Sequence, residues 1–200
     1  MSSVAAIVAA AGLSRRMGSC KQLLELGGKT VLARCLDTLL AGGVREIVVV
    51  VGLNSGPVAA EAGRFPVKIV VNSDPGGDMA SSVRAGRAAL STSAGAVIVA
   101  LCDYPLLLPA TVTSLKHAHA EEPERIVIPC HGDRRGHPLL FPRLILEELK
   151  GGLTLRDLVH CDPNRLRCIP VDDSGILVDM DTPEDYRRLC DAVAEGCPEL

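Results

Sequence analysis

The sequence is poor in aromatic residues, with no Trp, two Tyr and two Phe among 200 residues. Proteins that bind single-stranded nucleic acid usually stack the bases on aromatic side chains, so this class is disfavoured. An excess of positive charge is also missing, because the formal net charge is -3 at pH 7. No polybasic surface is therefore available for DNA or RNA. The composition favours a small molecule bound at a local site, and we expect no nucleic-acid partner.

Long apolar runs and paired cysteines are absent too. No run approaches the roughly 20 residues that span a bilayer, and the early run from Val4 to Ala11 has no basic segment before it. We therefore expect a cytoplasmic protein with no membrane partner. The eight cysteines include no C-x-x-C pair of the zinc-binding or redox type. A chain of this length can bury a core without disulfides, so we expect small buried side chains or free thiols.

Buried strands and amphipathic helices alternate along the predicted fold. Short apolar runs predict strands at residues 4–10, 44–51, 67–71, 96–101, 125–129 and 166–171, and helical spacing covers residues 31–40, 79–90, 110–120 and 183–193. Continuous apolar strands suit a sheet buried on both faces, and the alternation favours βαβ units. We predict one α/β domain, Rossmann-like, with three α/β/α layers and a mostly parallel sheet. Residues 130–162 break the alternation and are interpreted as an insertion beside the active-site crevice.

A loop of small residues follows the first predicted strand, from Ala9 to Gly12, and the cations Arg16 and Lys21 come after it. Small residues let backbone N–H groups approach phosphate oxygens, and the two cations add positive charge where a triphosphate would lie. The spacing fits neither G-x-G-x-x-G nor G-x-x-x-x-G-K-[ST]. A flexible turn with two solvated cations is the alternative interpretation.

Asp103 directly follows the strongly apolar strand predicted at residues 96–101. Ligands of open α/β sheets bind in the crevice at the carboxyl ends of the strands, so this carboxylate is expected there. Mg²⁺ is commonly held by one or two carboxylates together with substrate phosphates. Asp103 is therefore a candidate metal ligand. The alternative is an aspartate that opens a turn before Pro105.

Two further carboxylates, Asp179 and Asp181, precede a predicted helix start. Thr182, Pro183 and Asp185 suit the N-cap, first and third positions of that helix. This explanation leaves Asp179 and Asp181 without a structural role. Carboxylates two residues apart at the end of a strand could reach one site.

Polar residues of two other segments are candidates for ligand binding. Ser81 and Ser82 open a predicted helix or lie in its first turn, where hydroxyl and N–H groups could meet a nucleobase or a phosphate. Simple N-capping is the alternative for both. The segment 131–138 joins cationic side chains to glycines, which indicates an anion site or, alternatively, a solvated face.

In this order the motifs resemble the MobA-like NTP transferases, and most closely the molybdenum cofactor cytidylyltransferases. The resemblance rests on AAAGLSRRMGSCKQLLELGGKTVL (9–32), MASSVRAG (79–86), LCDYP (101–105), RGHP (135–138) and DMDTPEDY (179–186). These matches span nearly the whole chain. They imply the nucleotide-diphospho-sugar transferase type of fold, with a nucleotide-binding half at about 1–105 and an acceptor-binding half at about 106–200.

The resemblance also implies roles for individual residues. Asp103 and Asp181 would hold Mg²⁺, with Asp179 as the fallback for Asp181, and Lys21, Arg16 and Asp103 would be catalytic. The acceptor would meet Arg135, Gly136, His137 and Pro138. The NTP would be bound by Ala9, Ala10, Ala11, Gly12, Ser14, Arg16, Lys21, Ser81 and Ser82. The chain departs from the family pattern at Asp78, where glycine is usual. It also departs at residues 151–156, and this second difference concerns the identity of the acceptor.

The implied reaction is in-line attack of an acceptor phosphate on the α-phosphorus of the NTP. We expect CMP transfer from CTP to molybdopterin with release of pyrophosphate, and a molybdoenzyme or its insertion chaperone as a possible protein partner. Ala10 favours cytidine, because guanylyltransferases tend to have a second glycine there. A guanylyltransferase or a sugar-1-phosphate nucleotidylyltransferase is the alternative. A nicotinamide-dependent oxidoreductase is expected to have G-x-G-x-x-G after the first strand, and this motif is missing. A non-catalytic cofactor carrier or insertion chaperone would have no need for Lys21, Asp103 and Asp181 together.

Overall fold

The computed structural model describes residues 3–12, 17–74 and 77–195. Its strands are β1 (Ser3–Ala9), β2 (Glu25–Leu26), β3 (Lys29–Thr30), β4 (Glu46–Gly52), β5 (Lys68–Asn72), β6 (Ala94–Leu101), β7 (Ile126–His131), β8 (Arg134–Arg135), β9 (Leu139–Pro142) and β10 (Leu166–Pro170). Its α-helices are α1 (Val31–Ala41), α2 (Gly56–Ala62), α3 (Met79–Ala89), α4 (Pro109–Glu121), α5 (Arg143–Glu147), α6 (Leu155–His160) and α7 (Pro183–Ala194). Within the described ranges, no helix has the length and apolar character that crossing a membrane requires.

Eight strands form one sheet in the order β10-β7-β9-β6-β1-β4-β5, with β8 paired to β7. The pairs β10–β7, β6–β1, β1–β4 and β4–β5 are parallel, whereas β9 is antiparallel to β6 and β7. The mostly parallel sheet and all six predicted strands are confirmed. Separately, β2 and β3 form a short antiparallel hairpin before α1.

The strand β9 corrects the interpretation of residues 130–162 as an insertion. It lies in the middle of the sheet and pairs with β6 over Ala96 to Val99. Leu140 and Phe141 are fully buried and belong to the hydrophobic clusters on opposite faces of the sheet. Four residues therefore suffice for a central strand, because β6 and β7 pair with its backbone and the hydrophobic layers on both faces bury its side chains.

Alternate residues of β1 point into two separate hydrophobic layers. Ala6 and Val8 join the cluster that contains residues of α1, α2, α4 and α7. Ala5 and Ile7 join the cluster that contains residues of α3, α5 and α6. The two clusters lie on opposite sides of the sheet because successive strand side chains alternate. The predicted three-layer α/β/α architecture is confirmed.

All of the cysteines within the described residues are free, as expected, and only some of them are buried. Cys35 and Cys102 lie in the core, where burial raises the pKa of Cys35 to about 12 and raises that of Cys102 well above its ordinary value. A thiol that does not ionise is a poor nucleophile. These two side chains therefore act as small hydrophobic groups, and Cys197 lies outside the described residues.

The close contact of α3 with the sheet depends on Gly86. A Cβ atom at this position would lie 2.7 Å from Cγ2 of Ile7 and 3.0 Å from Cγ2 of Val50. We expect Gly86→Ala to lower the free energy of unfolding by about 1–3 kcal/mol, because overpacking outweighs the better helix propensity of alanine. Urea denaturation measures this effect. Gly56→Ala is the control, since its added Cβ would meet no atom within 4 Å, and an equal effect in both variants would contradict the packing argument.

Candidate active site

The first loop and Asp103 meet at the carboxyl ends of two neighbouring strands. β1 ends at Ala9, and the adjacent β6 ends at Leu101, two residues before Asp103. A cavity of about 130 Å³ lies here. Its lining includes Ala9, Ala11, Gly12, Lys21, Ser82 and Asp103. Most of the residues predicted to hold the nucleotide and the metal are thus brought together at one edge of the sheet.

Two predicted nucleotide residues, Ala10 and Ser81, are described by the structure and do not line this cavity. Ala10 is buried and its N–H donates to the carbonyl of Val50 at 2.9 Å, which extends the sheet. Ser81 is buried in α3. Ser14 and Arg16 lie outside the described residues, so the cationic part of the first loop stays a prediction.

The side chain of Lys21 joins two carboxylates that are remote in the sequence. Its Nζ donates to Asp103 Oδ2 at 2.6 Å and to Asp181 Oδ1 at 2.9 Å, and also to the carbonyl of Met180 at 3.2 Å. Burial by itself would lower the pKa of Lys21, but hydrogen bonds and charge attraction from both aspartates raise it above its ordinary value. Lys21 therefore remains an ammonium group at neutral pH.

The start of α7 fixes the position of Asp181. Thr182 caps the helix and shares a reciprocal capping box with Asp185, as the sequence predicted. Asp185 also accepts a hydrogen bond from the N–H of Asp181 at 3.2 Å. The N–H of Met180 donates to the carbonyl of Asp103 at 2.9 Å, which links the two acidic segments. Asp181 reaches Lys21 through this arrangement, whereas Asp179 is exposed.

One carboxylate oxygen of Asp103 is available to bind a metal ion. Its Oδ1 atom is buried and has no hydrogen-bond partner among the described residues. A buried carboxylate oxygen without a partner is costly, and a divalent cation would satisfy it. Within the described chain, no group of three or more His, Cys, Asp or Glu side chains could hold a metal. Two carboxylates fit a cation that takes its remaining ligands from phosphate and water.

The first loop is also held by Gln22, which the sequence analysis did not single out. Its side chain is 2% exposed, and its Nε2 donates to the carbonyls of Ala10 at 3.3 Å and Gly12 at 3.0 Å. A buried amide bound to two loop carbonyls restricts the backbone conformation of the loop. No local pattern predicts this contact, because Gln22 is ten residues or more from the groups it binds.

A second cavity, of about 580 Å³, adjoins the first. The two share the wall residues Asp78, Met79 and Leu101. Apolar side chains form much of the second cavity, namely Val99, Ile128, Leu139, Phe141 and Val159. Its polar lining includes Arg135, His137, Arg156 and His160. A ligand with an apolar body and an anionic group would match this surface.

The RGHP segment contributes three of its four residues to this second cavity. Arg135, Gly136 and His137 line it, whereas Pro138 is not part of the lining. Gly136 is needed for packing, because a Cβ there would collide with Ile176. Burial lowers the pKa of His137, although the negative charges of Asp103 and Asp179 oppose this shift. His137 is therefore an uncharged imidazole at neutral pH, and Arg135 supplies the charge of the segment.

Asp78 explains one departure from the family pattern. It is the N-cap of α3, and its carboxylate accepts from the N–H of Ser81 at 2.7 Å. Neither Ser81 nor Ser82 is therefore the cap of this helix. An aspartate at this position stabilises the helix start, which glycine does less well.

The sequence profile of the MobA-like NTP transferase domain matches residues 6–161. The chain belongs to this family. A nicotine blue oxidoreductase from Paenarthrobacter nicotinovorans is 33% identical over 93% of the chain and 96% of that protein. A molybdenum cofactor guanylyltransferase from Rhizobium meliloti (strain 1021) is 31% identical over 80% of the chain and 70% of that protein. Relatives described as the bifunctional protein GlmU are matched over only about a third of their length, 32% in the Azorhizobium caulinodans protein.

Solved structures of related proteins have the same fold. Rv0371c from Mycobacterium tuberculosis H37Rv superimposes with a TM-score of 0.82 at 30% identity, covering 96% of this chain and 100% of that one. A structure of the same protein is described as a complex with manganese. A nucleotidyl transferase from Methanothermobacter thermautotroptrophicus has a TM-score of 0.85 at 25% identity, with coverages of 98% and 100%. The predicted fold type and the assignment as a nucleotidyltransferase enzyme are confirmed.

Proposed function

We propose that this nucleotidyltransferase moves CMP from CTP to molybdopterin, uses Mg²⁺ and releases pyrophosphate. The observation that carries the proposal is the ammonium group of Lys21 held between Asp103 and Asp181 beside the first loop. The Lys21 and Asp103 side chains are only 13% and 21% exposed, so water screens their charges less than it would at the surface. Such a cluster is suited to a triphosphate whose charge must be neutralised.

Each residue of the cluster has a defined task in this reaction. Backbone groups of Ala9, Ala11 and Gly12 would hold the triphosphate, and Arg16 is expected at the β- and γ-phosphates. Bound Mg²⁺, held by Asp103 and Asp181, would neutralise phosphate charge. Lys21 would stabilise the charge that develops at the α-phosphate. An ionised acceptor phosphate is already a nucleophile, so the chain needs no separate general base.

The choice of CTP over GTP rests on Ala10 and on the resemblance to the cytidylyltransferases. Ala10 stands where guanylyltransferases tend to have a second glycine, and here it is buried directly after β1. The Rhizobium meliloti relative is described as a guanylyltransferase, so GTP is the competing nucleotide. We propose CTP as the preferred donor.

The second cavity supports a heterocyclic acceptor rather than a sugar phosphate. Sugar hydroxyl groups need hydrogen-bond partners, and the wall formed by Val99, Ile128 and Phe141 offers none from its side chains. A flat pterin can lie against apolar side chains, and Arg135 can bind the phosphate group. We therefore place the acceptor in this cavity, beside the nucleotide.

The two cavities also bear on the proposed division of the chain. Residues 1–105 would bind the nucleotide and residues 106–200 the acceptor, within a single domain. Asp181 joins the nucleotide site from the second half, and Val99 joins the acceptor cavity from the first. The proposed halves thus share both sites. The product would pass to a molybdoenzyme or to its insertion chaperone.

Pyrophosphate release tests this function directly. Purified protein is incubated with Mg²⁺ and each of the four NTPs, either without an acceptor, with molybdopterin, or with a sugar 1-phosphate. We expect release that requires both CTP and molybdopterin. Faster release with GTP would identify a guanylyltransferase, and release only with a sugar 1-phosphate would identify the other alternative.

An oxidoreductase is the second candidate, because a relative of 33% identity over 93% of the chain is named for nicotine blue. This candidate predicts reduction of nicotine blue by a reduced nicotinamide, without any need for NTP or Mg²⁺. The absorbance of nicotine blue measures that reaction. The oxidoreductase would be favoured if Asp103→Asn still reduced nicotine blue and if the protein released no pyrophosphate under any condition.

The acceptor placement predicts a selective loss in Arg135→Ala. Removing a charge-assisted contact should cost about 1.5–3 kcal/mol, or about ten- to a hundredfold in molybdopterin affinity. His137→Ala should cost about 0.5–1.5 kcal/mol, because an uncharged imidazole makes an ordinary hydrogen bond. Affinity for CTP·Mg²⁺ should be nearly unchanged in both variants. Isothermal titration with each ligand measures the two affinities separately.

Arg134→Ala is the matched control for this comparison. Arg134 is the other residue of β8, is exposed, and is not part of the cavity lining. We expect its molybdopterin affinity to equal that of the unmodified protein. A fall in CTP affinity with unchanged molybdopterin affinity in Arg135→Ala would assign the segment to the nucleotide.

A further inference from the structure

Asn72, at the end of β5, binds two adjacent serine hydroxyls of α3. Its side-chain Nδ2 donates to Ser81 Oγ at 2.9 Å and to Ser82 Oγ at 3.1 Å. Asn72 is 7% exposed, so this polar side chain lies inside the protein. The contact joins the strand next to β4 with the helix that borders the nucleotide cavity.

The backbone fixes which way the Asn72 amide points. The N–H of Asp74 donates to Asn72 Oδ1 at 3.1 Å. A backbone N–H can donate only to the oxygen of the amide, so the nitrogen must face the serines. Both Nδ2 hydrogens are then used, one on each hydroxyl, and both serine oxygens act as acceptors.

The hydroxyl groups of Ser81 and Ser82 differ in the hydrogen bonds that they donate. Ser81 donates its hydrogen to the carbonyl of Asp78 at 2.9 Å, so its hydrogen bonds are satisfied within the helix start. Ser82 Oγ accepts from Asn72, and no acceptor for its own hydrogen occurs among the described residues. Ser82 lines the nucleotide cavity, whereas Ser81 does not. Because the Asn72 amide occupies one lone pair of Ser82 Oγ on the protein side, the hydroxyl hydrogen can point towards the cavity.

The cluster has little room to rearrange. A Cβ on Gly77 would lie 2.7 Å from Asn72 Nδ2 and 2.8 Å from Ser81 Oγ. The backbone of Gly77 therefore packs closely on the amide and on the first hydroxyl. Fixed neighbours hold the donor direction before a ligand arrives, which lowers the entropy cost of binding.

We propose that Asn72 is a positioning residue that fixes the hydroxyl of Ser82 as a hydrogen-bond donor to the bound nucleotide, while Ser81 serves the helix start alone. This inference rests on the placement of the nucleotide in the first cavity. It requires an acceptor atom on the ligand, such as a phosphate, ribose or base oxygen. The choice between CTP and GTP does not affect it.

The test compares nucleotide affinity in Ser82→Ala, Ser81→Ala and Asn72→Asp, by isothermal titration with the Mg²⁺ complex of the NTP that the unmodified protein binds best. Ser82→Ala should weaken binding about tenfold, as expected for one lost hydrogen bond. Ser81→Ala should leave affinity unchanged and lower the melting temperature. Asn72→Asp keeps the shape, but a carboxylate accepts hydrogen bonds, so it should draw the Ser82 hydrogen inwards and weaken binding by a similar factor.

The double variant Asn72→Asp/Ser82→Ala separates positioning from charge repulsion. If Asn72 acts through Ser82, the double variant should bind as weakly as Ser82→Ala and no more weakly. In kinetics, the single variants should raise KM with kcat nearly unchanged. Additive losses in the double variant, or an equal loss in Ser81→Ala, would overturn the inference. Acceptor-dependent pyrophosphate release is measured separately, so failure of the proposed function would show there, not in the affinities.

Discussion

Asp103→Asn should reduce turnover by about 10³-fold or more while leaving the fold intact. The loss follows because a metal ligand contributes several kcal/mol of charge stabilisation in the transition state. Stability should fall only a little. The variant would lose the ion pair with Lys21, but Lys21 keeps Asp181, and a neutral amide is easier to bury than a carboxylate whose Oδ1 has no hydrogen-bond partner among the described residues. Steady-state pyrophosphate release and thermal unfolding in metal-free buffer measure the two effects.

Asp179→Asn is the matched control for this prediction. Asp179 carries the same charge near the site but is exposed and makes no contact with Lys21 among the bonds described above. Its variant should keep most of the activity. If Asp103→Asn retained most of its activity at saturating Mg²⁺, Asp103 could not be the metal ligand. If Asp179→Asn were the inactive variant, the fallback assignment would replace Asp181.

Lys21→Ala should lower kcat by about 10²–10³-fold, with a much smaller rise in KM for the NTP. The reason is that a preorganised positive charge contributes most when charge develops at the transferring phosphate. The variant should also unfold at a lower temperature in metal-free buffer, because Asp103 and Asp181 lose the ammonium that they share. Adding Mg²⁺ should raise the unfolding temperature of Lys21→Ala by more than it raises that of the unmodified protein.

Lys29→Ala provides the comparison for Lys21→Ala. Lys29 also pairs with an aspartate, Asp37, but the Lys29 side chain is 58% exposed. An exposed pair contributes little, so activity and stability should both stay nearly unchanged. A pure KM effect in Lys21→Ala would assign Lys21 to ground-state binding of the NTP instead.

The central strands could be predicted because their burial is encoded locally. Runs such as residues 47–51 and 96–101 are apolar without interruption, which a sheet covered on both faces requires. The strand β9 escaped prediction because its four residues form only a short apolar piece between a polar loop and short helix-like stretches. Its environment comes from β6 and β7, which are remote in the sequence.

The candidate site was predictable only in part, and for a similar reason. Lys21 lies 82 residues from Asp103 and 160 from Asp181, so only the resemblance to a family joined them in advance. Gln22 and Asn72 carry no motif, because their partners are backbone carbonyls and hydroxyls that the fold brings near. The role of Asp78 as the N-cap was missed because the serines after it looked like equally good caps.

Transfer of label from the α-phosphorus of CTP tests the central claim most directly. The protein is incubated with Mg²⁺, molybdopterin and CTP labelled at either the α- or the γ-phosphorus. Our account predicts that the α-label moves to the acceptor, that the γ-label leaves in pyrophosphate, and that Asp103→Asn abolishes both. A γ-label on the acceptor, or no transfer from any NTP to any phosphorylated acceptor, would contradict it.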